Sequence, residues 1–176
     1  MGKRNQYLAI FLSHATLAGA VALVAMAVAT WLFWAHLAPY VAGNLQYRFN
    51  VNGLTTSERL IGFTISFIGA MIHSYGLLSL RQTFCEAALG NPLSEKAIRG
   101  FRRFAWVTLI MVFVGILQRT GLIVLFSLSD LTQQGRIDIQ LGSRELKSAF
   151  LGLLLVFAAQ VFVEGKRAKD ENQAFI

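Results

Sequence analysis

The feature that most constrains this chain is a set of four long apolar runs, three of them without a single acidic or basic residue. They extend from Ala15 to Leu37, Leu60 to Leu80, Phe104 to Leu128 and Ser148 to Val163. A helix rises about 1.5 Å per residue, so the first three exceed the roughly 30 Å hydrocarbon core of a bilayer. The fourth is short. It reaches spanning length when Leu146 and Lys147 join it and the Lys147 ammonium snorkels to the headgroups. Charged residues make up only 14% of the chain, against about 25% in a soluble domain. These runs predict an all-α integral membrane protein: a four-helix transmembrane bundle in a single membrane domain, 1–176. The first run also admits a reading as a signal peptide, because Ala27-Val28-Ala29 resembles a cleavage site. Its continuation through Trp31-Leu32-Phe33-Trp34 suits an interfacial aromatic anchor better.

The net charge of +7 would suit nucleic acid if it covered a soluble face. Much of it lies at the ends of the apolar runs instead, so no direct nucleic-acid contact is expected. The charge reads as membrane orientation and headgroup contact with the lipid bilayer. One side carries Lys3, Arg4, Arg81, Lys96, Arg99, Arg102, Arg103, Lys166, Arg167 and Lys169; the other carries Arg48, Arg59, Arg136, Arg144 and Lys147. The richer side is expected to be cytoplasmic, with both termini on it, in a multi-pass protein of a bacterial plasma membrane.

Between the second and third runs, residues 81–103 read as a cytoplasmic helical hairpin. Gly90 is suited to a helix C-terminus, Pro92 forbids continuation, and Ser94 with Glu95 opens a new helix. Lys96, Arg99, Arg102 and Arg103 form a basic collar there, which serves headgroup anchoring or docking of a cytoplasmic partner. The segment 164–176 forms a cytoplasmic tail, either a frayed terminus or a binding element. On the far side, Leu45, Tyr47, Phe49 and Val51 alternate with polar residues, as do Ile137, Ile139 and Leu141. This predicts a small two-stranded extracytoplasmic β cap.

Small residues at spacing of four, Gly62-Ser66-Ala70-Ser74, and an alanine stripe, Ala18-Ala22-Ala25-Ala29, are expected to face neighbouring helices or a second copy in a homo-oligomer. Arg119 lies inside the third run, where a central arginine costs about 2.5–3.5 kcal/mol to insert. Gln118 and Gln160 are its expected partners. With His73 they make a candidate intramembrane polar site, either structural or suited to an anion or substrate. His14 and His73, on adjacent runs, raise the option of a haem-binding pair; His36 lies near the far side. Cys85 reads as a core residue near the membrane surface, with acylation or oxidation as alternatives. No disulfide, zinc motif, phosphate-binding loop or nucleophile elbow is present in the sequence, so no cofactor and no catalytic residue is expected.

Three segments carry a family resemblance: Leu80-Arg81-Gln82-Thr83-Phe84; the stretch from Gly90-Asn91-Pro92-Leu93-Ser94 to Arg102-Arg103-Phe104-Ala105-Trp106; and the tail Glu164-Gly165-Lys166-Arg167 to Asp170-Glu171-Asn172-Gln173-Ala174-Phe175-Ile176. In these the chain resembles the DUF2975 family of small bacterial membrane proteins. It departs from that pattern at Ala168-Lys169, where a leucine often follows the basic residues. The resemblance implies a non-enzymatic protein that tethers or modulates a small helix-turn-helix transcriptional regulator. The expected partner surface comprises Lys96, Arg99, Arg102, Arg103, Asp170, Glu171, Asn172 and Phe175. The alternatives are a small transporter, channel or sensor subunit using the interior near Arg119, or a haem-binding redox protein.

Overall fold

The computed structural model describes residues 3–41, 54–129 and 142–174, with 38–41, 129, 144, 173 and 174 described by backbone alone. It contains α1 (Lys3–Leu32), α2 (Trp34–Val41), α3 (Thr56–Ala88), α4 (Glu95–Ser129) and α5 (Ser143–Ala174). No strand occurs among the described residues. The alternating segments 45–51 and 136–141, expected to form the β cap, lie outside them. α1, α3, α4 and α5 are each long and apolar enough to cross a membrane. All four exceed the apolar runs that announce them, most of all α5, which continues past Val163 to Ala174.

The helix ends follow from local chemistry. α3 opens on a capping box: Thr55 Oγ1 accepts from the Glu58 N–H, and Glu58 accepts from the Thr55 N–H at 2.7 Å. It closes at Gly90, whose φ of 85° is the left-handed conformation glycine tolerates. The Gly90 N–H donates to the Ala87 carbonyl and the Asn91 N–H to the Glu86 carbonyl, which satisfies the last turn. Ser94 Oγ then accepts from the Ala97 N–H at 3.1 Å and donates to Glu86 Oε2 at 2.9 Å. One hydroxyl thus caps α4 and ties it back to α3.

The long helices pack in chain order: α1 on α3, α3 on α4, α4 on α5. Other pairs of long helices touch only marginally, so the bundle is open rather than closed on itself. Each packed pair is antiparallel, as its contacts show. Ser74 Oγ donates to the Ala20 carbonyl at 2.9 Å, joining α3 to α1. Gly100 lets α4 approach the Ser79 carbonyl so closely that a β-carbon would lie 2.5 Å from it, and Thr83 Oγ1 donates to the Ala97 carbonyl at 2.8 Å. Gly152 faces the Leu109 backbone across α4 and α5, and Phe101 meets Phe162 edge-on at 5.2 Å. The N-terminus, the 89–94 turn and the C-terminal turns of α5 therefore share one end, here the basic end. At the other end Trp31 stacks on Trp34 at 4.6 Å, and Trp34 on Phe126, over Leu54 and Ile123.

The two small-residue stripes fare differently. Ala18, Ala22 and Ala25 face outward, away from the neighbouring helices and toward the side where a second copy would meet them; within the chain α1 buries Ala9, Ser13 and Ala20 instead. Several faces can carry small residues in so alanine-rich a helix, and Ala20 is the position that accepts from Ser74. On α3, Gly62 and Ser74 are buried as expected, together with Gly69 and Gly76. Between 11% and 22% of each long apolar segment is buried within the chain. Phe11, Met26, Phe113 and Phe157 point outward, each about two-thirds exposed. Surfaces this apolar call for lipid or for other protein.

Candidate functional site

The open order of helices creates a groove. α3 and α5 flank it, α4 floors it, and it encloses about 520 Å³. Its polar lining includes Arg119, Glu145, Gln118, Ser148, Thr108 and His73. Gly115 lies on the floor, where a β-carbon would meet nothing within 4 Å.

Arg119 finds a partner that the sequence reading did not assign. Its Nη1 lies 3.5 Å from Glu145 Oε1, and the Glu145 side chain is only 16% exposed. The other carboxylate oxygen, Oε2, accepts from the Gly142 N–H at 2.8 Å. Glu145 therefore both caps α5 and links it to α4. The relevant signal was the spacing Gly142-x-x-Glu145, an N-cap pattern that puts Glu145 on the first turn of a helix rather than in a loop. Gln118 does not pair with Arg119. Its Nε2 donates to the Ile65 and Ser66 carbonyls of α3 at 2.9 and 3.2 Å. Gln160 is exposed and does not line the groove; it lies about four turns beyond Glu145, nearer the basic end.

The histidines do not form a facing pair. Ala20 meets Ser74 and Gly19 meets Leu77, which puts His14 level with about residue 81. That is about 12 Å along the axis from His73 at 1.5 Å per residue. His73 lines the groove with α4 and α5, away from α1. No cluster of three or more metal-ligating side chains occurs among the described residues.

The basic end carries the other predicted residues, and the structure divides them. Lys96, Arg99, Arg103 and Trp106 recur at helical spacing on one face of α4. At about 3.6 residues per turn this face is turned roughly 130° from Thr108, Met111 and Gly115 of the groove, and Val107 borders both. Asp170, Glu171 and Asn172 lie on the α5 extension, and none of them lines the depressions beside the collar. Phe175 is outside the described residues. Lys166 pairs with Asp170, and Arg167 with Glu171 at 3.0 Å, both one turn apart. The Asp170 hydrogen bond holds the Lys166 ammonium above its usual pKa of 10.5, against a smaller effect of desolvation, and the charges of Asp170 and Glu95 act in the same raising direction. Glu95 is the first residue of α4, so the extension stands beside the base of that helix.

Compared with protein-family models, with curated proteins and with solved structures, the chain matches none of them.

Proposed function

We propose that the protein is a non-enzymatic, multi-pass protein of a bacterial inner membrane whose basic end lies in the cytoplasm and docks a cytoplasmic protein partner. The observation that carries this reading is the α5 extension. The helix continues eleven residues beyond Val163 to Ala174, about 16 Å at 1.5 Å per residue. Phe162 anchors its root on Phe101. The extension exposes Lys169, Asp170, Glu171 and Asn172, a mixed-charge strip suited to a polar, reversible contact. The sorting of lysine and arginine between the two ends supports the orientation. A small helix-turn-helix regulator, the partner class implied by the resemblance to the DUF2975 family, is the first candidate.

Site-specific photocrosslinking in native membranes tests this. A crosslinker at Glu171 or Asn172 should yield one discrete protein adduct, whereas one at outward-facing Phe113 should yield none, and deletion of 168–176 should abolish co-purification of the same partner. Adducts from Phe113 alone would overturn the reading.

The groove supports a second reading, a small transporter, channel or sensor subunit. The observation behind it is the polar path from the Arg119–Glu145 pair past Gln118 to His73. Four helices make a thin pathway, so this reading requires a homo-oligomer. Solute flux in liposomes that Arg119→Ala leaves unchanged would remove it.

A further inference from the structure

The collar face of α4 meets α3 in two contiguous depressions. One, of about 470 Å³, is lined by Arg81, Lys96, Arg99 and Arg103 with a single carboxylate, Glu86. The next, of about 430 Å³, shares Arg99 and Arg103, adds Arg102, and is completed by Tyr75, Trp106 and Val107. Glu86 is already engaged by the Ser94 hydroxyl. Glu95 approaches Arg99 only to 3.9 Å, with both side chains largely exposed. The recess thus keeps a strong excess of positive charge. Arg81 of α3 adds a cation from the facing helix.

The depressions lie in a definite order. From Lys96 to Trp106, α4 rises about 15 Å, passing from cations to aromatic side chains where the apolar runs of α3 and α4 begin. A phospholipid has the same order in depth: phosphate, then glycerol and ester groups, then acyl chain. Arginine guanidinium forks bind phosphate oxygens in pairs, and tryptophan and tyrosine favour the glycerol level. A diffusible phosphate would have no use for the aromatic step.

We propose that this recess is a binding site for one anionic phospholipid, its phosphate held by Arg81, Lys96, Arg99 and Arg103 and its glycerol backbone against Tyr75 and Trp106. Five cations against one carboxylate, Arg102 included, favour a two-phosphate headgroup, as in diphosphatidylglycerol, over a single phosphodiester. The proposal rests on the membrane reading but not on the protein partner, because no residue of α5 lines the recess.

Native mass spectrometry of the full chain released from detergent micelles tests it. Micelles doped with diphosphatidylglycerol, phosphatidylglycerol or phosphatidylcholine are compared, each with and without inorganic phosphate. One diphosphatidylglycerol per chain should survive activation that strips phosphatidylcholine. Retention should fall about five-fold for each cation removed, in Arg81→Gln and in the exposed pair Lys96→Gln/Arg99→Gln. Deletion of 168–176 should leave retention unchanged, which separates this outcome from failure of the partner reading. Equal retention of phosphatidylcholine, or unchanged retention in Lys96→Gln/Arg99→Gln, would overturn the site. Displacement of the lipid by millimolar inorganic phosphate would overturn its assignment to lipid.

Discussion

Gly69 and Gln118 offer the sharpest test of how α3 and α4 hold together. A β-carbon at Gly69 would lie 2.3 Å from Gln118 Nε2 and 2.6 Å from its Cδ. The Gln118 amide therefore fills the space a side chain would occupy, and from there it reaches the Ile65 and Ser66 carbonyls. Gly69→Ala must push the amide out and break both bonds. Interhelical hydrogen bonds in membranes average about 0.6 kcal/mol, so the pair is worth roughly 1 kcal/mol. The helix propensity gained from glycine to alanine is about 0.8–1 kcal/mol. Gly69→Ala alone should therefore be nearly neutral. In a Gln118→Ala background there is no amide to displace, and the same substitution should stabilise by about 1 kcal/mol. Equilibrium unfolding in mixed dodecylmaltoside and dodecylsulfate micelles, followed by far-UV circular dichroism, measures all four proteins of the cycle. An identical effect of Gly69→Ala in both backgrounds would refute the reasoning.

Other substitutions probe other joints. Arg119→Leu should destabilise by about 1–2 kcal/mol, below the roughly 3–5 kcal/mol of a fully buried pair, because Arg119 is 44% exposed; adding Glu145→Gln, which still accepts from Gly142, should recover part of the loss in the same micelle assay. Gly100→Ala should loosen the α3–α4 hairpin, since its methyl meets the Ser79 carbonyl, and faster proteolysis near residues 89–94 would register it. Gly115→Ala, facing open space, should instead stabilise by up to about 1 kcal/mol; a loss of stability would mean the groove is filled at that point. Because the folded pKa of Lys166 is raised, its contribution to the α5 extension is present below pH 10.5 and lost as pH rises through the folded value. A spin label at Asn172 should gain mobility there in the native chain and not in Lys166→Met.

The four apolar runs and the punctuation at Gly90, Pro92 and Ser94 were readable because each depends on a local rule. A hydrophobic stretch of given length, a left-handed glycine and a serine cap act within a few residues of themselves. Partnerships were less readable. Arg119 was visible as costly, but its partner stood outside the apolar run, and counting residues within runs pointed to Gln118 and Gln160. The collar was visible as a cluster, yet its side of α4 depends on which face α3 and α5 occupy. The alanine stripe of α1 does not face a neighbouring helix of the same chain for a related reason: a shift from Ala18 to Ala20 rotates the assigned face by more than half a turn.

Why the bundle stays open follows from where close approach is allowed. In water, exposed Phe11, Met26, Phe113 and Phe157 would drive the helices to close around them. In the lipid setting proposed above that drive is absent, and helices join where small residues and hydrogen bonds bring backbones together. α3 carries such positions at Gly62, Gly69 and Gly76, a spacing of seven, opposite Trp31, Gln118 and Val107. α4 adds Gly100 against α3, and α5 has Gly152 against Leu109. Gly19 of α1 makes only ordinary contact with Leu77 of α3, and Gly165 of α5 faces open space. Nothing in these positions favours α1 meeting α5. The chain thus ends as a row, with the groove on one side of α4 and the basic recess on the other, because its close-approach positions are distributed between successive neighbours.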